Sequence, residues 1–154
     1  MKFTIALAQI STQMGVVRAN LEKHLALIDQ AHAAGADLIV FPELSLTGYM
    51  LQDLTTSVAR RPDDGDTTFI PLLEASREKG IDIVVGFVDE DPRHRFYIAS
   101  AYLSRGQVVH VHHKLYLPTY GLFDEGRFFA WGDQVRAFET RFGRMGILIC
   151  EDFW

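Results

Sequence analysis

The 154-residue sequence has a single cysteine, Cys150, so no disulfide can close within the chain and nothing points to an oxidising compartment. It has no surplus of basic charge. The 15 Lys and Arg stand against 20 Asp and Glu, and a formal net charge of -5 gives no general attraction to nucleic acid or to an anionic membrane surface. Long apolar runs are missing too: Met1-Lys2-Phe3-Thr4-Ile5-Ala6-Leu7-Ala8-Gln9 is too short and too interrupted for a secretory core, and no segment reaches membrane-spanning length. Internal repeats, low-complexity tracts and interdomain linkers are absent as well. The expectation is a cytoplasmic protein without nucleic-acid or membrane partners.

What is present is an ordinary globular composition, 48% hydrophobic and 23% charged, enough for one domain with a sizeable core. Residues 2–10 predict a first strand. Leu21, Leu25, Ile28 and Ala31 recur at helical spacing over residues 20–34, with Asn20 as N-cap and Gly35 as C-cap. A second strand is expected at 37–41, stopped by Pro42, followed by an irregular stretch over 43–66 and a helix over 68–79. Strand three is expected at 81–88. Two hairpins should follow, 96–103 with 107–112 and 135–142 with 145–149, separated by a long segment without regular structure at 115–134. Alternating strands and helices followed by hairpins predict an α/β fold with a mixed sheet.

Cys150 stands where the run Met145-Gly146-Ile147-Leu148-Ile149 gives way to Glu151-Asp152-Phe153-Trp154. A buried cysteine commonly serves only as a small hydrophobe. Two other reactive groups, however, stand just past apolar runs in the same way. Glu43 follows Leu38-Ile39-Val40-Phe41-Pro42, and Lys114 follows Val108-Val109-His110-Val111-His112-His113. A carboxylate can take the thiol proton and later activate water, while an ammonium and a backbone N–H can hold the negative charge that builds on an attacked carbonyl or nitrile. Nucleophile, base and electrophile are all represented.

Three motifs carry a resemblance: Phe41-Pro42-Glu43 with Thr47-Gly48-Tyr49, His113-Lys114-Leu115-Tyr116-Leu117-Pro118, and Ile149-Cys150-Glu151-Asp152. In that chain order the sequence resembles the carbon–nitrogen hydrolases of the nitrilase superfamily. The resemblance implies a four-layer α-β-β-α sandwich, with residues 1–154 as the N-terminal portion of one such domain and the remainder expected beyond residue 154. It implies Glu43, Lys114 and Cys150 as catalytic residues, and Glu125 as a second glutamate that positions Lys114 or the substrate. The loop from Tyr116 to Glu125 and the run from Cys150 to Trp154 look most like the amidase branches, particularly the glutaminase domain of glutamine-dependent NAD synthetases. True nitrilases place Trp after the cysteine, where this chain has Glu151. The implied reaction is hydrolysis of a small-molecule amide through a cysteine thioester, without metal or organic cofactor, in a homo-oligomer with a fused or partner synthetase as a further option.

Tyr49, Tyr120, Phe123, Glu151 and Trp154 are candidate substrate contacts, and Tyr116 joins them as an aromatic that serves a pocket or the core equally well. Other readings stand beside this one. His110 and His112 share a strand face and, with His113 adjacent, could hold a metal ion. Nitrile hydrolysis, or a binding and assembly role for an incomplete fold, also remains open. The isolated chain is expected to be inactive or poorly soluble, because an incomplete sheet exposes apolar strand.

Overall fold

Ile83, Val85 and Phe87 alternate along the third strand and all three are fully buried, which identifies the face on which the helices pack. The computed structural model describes residues 2–63 and 65–154. Its order is β1 (Ile5–Leu7), α1 (Val17–Ala33), β2 (Leu38–Val40), α2 (Thr55–Val58), α3 (Phe69–Glu78), β3 (Asp82–Glu90), β4 (Phe96–Ser104), β5 (Gln107–His113), α4 (Glu125–Phe128), β6 (Phe138–Thr140) and β7 (Gly143–Met145). Strands β1 to β5 form one mixed sheet in chain order: β1, β2 and β3 are parallel, and β4 and β5 add antiparallel neighbours. The fold is the expected α/β class with a mixed sheet.

Helix α1 buries Val17, Asn20, His24, Ile28 and Ala31 along one stripe, and α3 buries Phe69, Leu72, Leu73 and Ser76. Both stripes join the core against Ile39, Ile83, Val85, Phe87, Ala99, Ala101 and Leu103. The opposite sheet face carries Leu38, Val84 and Tyr102, on which Phe138, Phe142, Met145 and Ile147 pack from the β6–β7 hairpin and the segment after it.

Several expectations need correction. Helix α1 starts at Val17, because Asn20 is not its cap: its buried amide donates to the Gln13 and Leu46 carbonyls and its oxygen accepts the Gln13 N–H, tying the helix to two loops. Strand β1 is only three residues long, pairs among the described residues only with the equally short β2, and leaves Leu7 80% exposed. Residues 145–149 do not form a strand. The hairpin closes around Arg141 and Phe142, β7 ends at Met145, and the run beyond it has no ladder partner among the described residues. Within the stretch 43–66 lie a 3-10 turn at Gln52–Leu54 and the short helix α2, and α4 interrupts the segment 115–134. Asp64, part of that first stretch, and Met1 lie outside the described residues.

Candidate active site

Strands β2 and β5 run in the same sense, because two antiparallel steps separate β5 from β3 and β3 is parallel to β2. Their carboxyl ends therefore reach the same edge of the sheet, the position where α/β sheets carry their ligand sites. Glu43 follows β2 on a tight loop whose Ser45 N–H and Leu46 N–H bond to the Pro42 carbonyl at 3.2 Å and the Gly86 carbonyl at 3.0 Å. Gly86 on β3 is a steric requirement: a Cβ there would lie 2.6 Å from Leu44 N and closer still to the Pro42 carbonyl oxygen. Behind the loop, buried His24 bonds to the Asn20 carbonyl at 2.7 Å and to Ser45 Oγ at 2.9 Å. The carbonyl can only accept, so Nδ1 carries the proton and Nε2 accepts from Ser45. Burial lowers the His24 pKa from 6.5 to about 4, against the opposing pull of the Asn20 carbonyl.

Lys114 directly follows β5 and is fully buried. Its backbone is held on both sides, by Lys114 N–H to the Ile98 carbonyl at 2.8 Å and Gly132 N–H to the Lys114 carbonyl at 2.8 Å. Its ammonium lies 2.7 Å from Glu43 Oε1 and 2.9 Å from each carboxylate oxygen of Glu125. Burial alone would lower the Lys114 pKa, but the two carboxylates outweigh it and the pKa is raised. Glu43 shifts upward chiefly because burial disfavours its anion, with the Lys114 contacts opposing. Glu125, buried at the start of α4, also accepts a hydrogen bond from the Tyr49 hydroxyl.

Cys150 is exposed and opens a 3-10 turn over Cys150–Phe153, with a left-handed φ of 47° that costs a non-glycine residue about 1–2 kcal/mol. Burial, and then the Glu43 charge, push its thiol pKa up; Lys114 and the Glu151 backbone N–H pull the other way. Glu43 and Cys150 both border a cleft of about 300 Å³ whose wall includes Tyr102, Phe138 and Leu148. A second hollow of about 190 Å³ reaches Tyr49 and Glu125 but neither Glu43 nor Cys150. Of the two, the larger is the one that Glu43 and Cys150 share.

The candidate substrate contacts divide. Phe123 packs edge-on against Tyr49 at 6.2 Å and Tyr120 at 5.8 Å, and the Tyr120 hydroxyl donates to Glu151 at 3.0 Å, so these four side chains form a continuous wall from Glu125 to the cysteine turn. Trp154 does not join them. Its side chain is 91% exposed and meets Phe153 edge-on, and Tyr116 also faces solvent. The three histidines separate: His110 stacks on Phe138, His112 bonds to Asp152 and His113 to Asp89. Among the described residues no group of three or more His, Cys, Asp or Glu gathers to hold a metal ion. Sequence reasoning missed the supporting roles of Gly86, His24 and Asp152, and only Asp152 had a signal, its place two residues after the cysteine.

The profile of the carbon-nitrogen hydrolase family matches residues 4–154. The chain is 37% identical over 152 residues to the glutamine-dependent NAD(+) synthetase of Acinetobacter baylyi, and 32% identical over 153 residues to that of Thermotoga maritima. Each alignment takes in 99% of this chain but only 27% and 26% of the respective relative, so the chain spans about a quarter of their length. Among solved structures, the glutamine-dependent NAD+ synthetase of Acinetobacter baumannii, in complex with adenosine diphosphate, matches with a TM-score of 0.84 at 39% identity, over 99% of this chain and 28% of that one. Nit3 of Saccharomyces cerevisiae, in branch 10 of the nitrilase superfamily, matches with a TM-score of 0.81 at 24% identity over 96% of this chain and 55% of its own, a likeness of fold.

Proposed function

The chain belongs to the carbon-nitrogen hydrolase family, and from that premise we propose that it hydrolyses an amide carbon–nitrogen bond, with glutamine as substrate and ammonia as product. The observation that carries the reading is the buried Lys114 ammonium held between Glu125 and Glu43, the latter lining the same cleft as an exposed, left-handed Cys150. The choice of glutamine is supported by the glutamine-dependent synthetases to which the chain is 32–37% identical.

In the proposed reaction Glu43, made more basic by burial, takes the proton of Cys150, whose own raised pKa leaves it a thiol until a base acts. The thiolate attacks the amide carbon, and Lys114 with the Glu151 N–H stabilises the oxyanion. Glu43 returns the proton to the departing ammonia, leaving a thioester on Cys150. Water, deprotonated by Glu43, then releases the acid and the free thiol. Glu125 holds Lys114 in place through a hydrogen bond at Oε1 and the ion-pair contact of its other oxygen, and is itself oriented by Tyr49. Delivery of the ammonia to a synthetase is a natural extension, supported by the same relatives.

The test is ammonia release from glutamine compared with a panel of simple amides and nitriles. Preference for glutamine, lost in Cys150→Ala, supports the proposal. Hydrolysis that persists in Cys150→Ala, or preference for a nitrile, overturns it.

A further inference from the structure

Asp152 has no part in the reaction just described, yet its side chain is completely buried and its oxygens accept four hydrogen bonds. Oδ2 takes His112 Nε2 at 2.7 Å and the Ile149 N–H at 3.0 Å. Oδ1 takes the Leu115 N–H at 2.8 Å and the Tyr116 N–H at 3.0 Å. One carboxylate thus joins the residue before the nucleophile to the two residues after Lys114. His112 belongs to the β5 ladder opposite Ser100, so its imidazole is fixed by the sheet and in turn fixes the carboxylate.

We propose that Asp152, locked by His112, is the positioning residue that holds the strained Cys150 turn in register with Lys114 and Glu43. The inference rests on the amide-hydrolase reading above and adds to it the means by which the nucleophile is aimed. A left-handed cysteine with no ladder partner on either side relaxes unless neighbours restrain it, and the restraint visible here is local: Asp152 N–H bonds back to the Ile149 carbonyl at 3.0 Å while its carboxylate holds the Ile149 N–H. Burial alone would push the Asp152 pKa up, but the His112 and backbone donors hold it below the usual carboxylate range, so the clamp is an anion. That charge also adds, well after burial itself, to what keeps Glu43 basic, alongside the Glu125 charge and against that of Lys114.

The experiment compares Asp152→Asn, His112→Phe and His112→Gln with the parent, each checked for its fold by circular dichroism. An asparagine cannot accept all four donors, because its NH₂ confronts either His112 and Ile149 or Leu115 and Tyr116. Phenylalanine fills the His112 site without a donor, whereas glutamine restores one. Misplacing a nucleophile by about 1 Å costs on the order of 100-fold, so kcat should fall by about that factor in Asp152→Asn and His112→Phe with KM little changed, and His112→Gln should recover most of it. Independently of turnover, the pH midpoint for alkylation of Cys150 by iodoacetamide should move down toward the ordinary thiol value in the first two variants and stay at the parental value in the third.

If Asp152→Asn does not fold, the two His112 variants decide. If the parent hydrolyses no amide even within a protein of its relatives' full length, the functional reading fails, while the alkylation midpoints still test the clamp. Parental midpoints in both disruptive variants, or equal losses in His112→Phe and His112→Gln, would overturn it.

Discussion

Replacing Lys114 with methionine isolates the charge at the centre of the site. The two side chains are close in length, so the change removes the ammonium with little change in volume. Three contacts vanish, the one at 2.7 Å to Glu43 and the pair at 2.9 Å to Glu125. Glu43, with 18% of its side chain exposed, can turn toward water, but Glu125 at 5% cannot and keeps only the Tyr49 hydroxyl. Stranding a buried carboxylate in this way costs about 3–5 kcal/mol. For a chain of this size that is a fall of roughly 10 °C in thermal midpoint near neutral pH. Adding Glu125→Gln to the variant removes the stranded charge and should recover part of the loss at neutral pH. Thermal unfolding followed by circular dichroism at neutral pH reads both effects. A midpoint equal to the parent's in Lys114→Met, or no recovery on adding Glu125→Gln, would refute the reasoning.

Other consequences follow from the same geometry. Because burial raises the Glu43 pKa and the base must be ionised to act, kcat/KM should decline as the pH falls through a value above the usual carboxylate range, which a pH–rate profile measures. His24 is neutral in the fold with a pKa of about 4 against 6.5 when exposed, so the unfolded chain binds the proton first and stability should drop by about 3 kcal/mol as the pH falls across that window. His24→Gln should flatten that slope in urea titrations, and an unchanged slope would remove His24 as its cause. Gly86→Ala forces the Glu43 loop off β3, so kcat/KM should fall at least about 10-fold, while an alanine tolerated with full activity would show that the close approach is not needed.

The sequence was most legible where pattern and neighbour coincide. Glu43 and Lys114 could be placed at strand ends because β2 and β5 each have an apolar run and a ladder partner on both or one side. The run at 145–149 misled for the opposite reason: apolar residues state that a segment is buried, as Ile149 is, but do not supply the strand that would pair with it. Asn20 misled because a residue type that favours helix caps serves equally well as a buried bridge between loops, and only the fold distinguishes the two. Gly86 was illegible and the partners of Asp152 were too, because each acts on backbone dozens of positions away, Gly86 on Leu44 and Asp152 on Leu115, and no local pattern encodes such contacts. The aromatic wall was half legible. Tyr49, Tyr120 and Phe123 come together, while Trp154, judged by type alone, stands in solvent.

The central claim is that Cys150 carries the acyl group during turnover, and intact-mass spectrometry of the chain acid-quenched while it is hydrolysing glutamine tests it most directly. The account predicts a transient species heavier by one γ-glutamyl group, mapped by fragmentation to Cys150 and absent in Cys150→Ala. Glutamine hydrolysis with no such adduct, or an adduct that survives in Cys150→Ala, would contradict it.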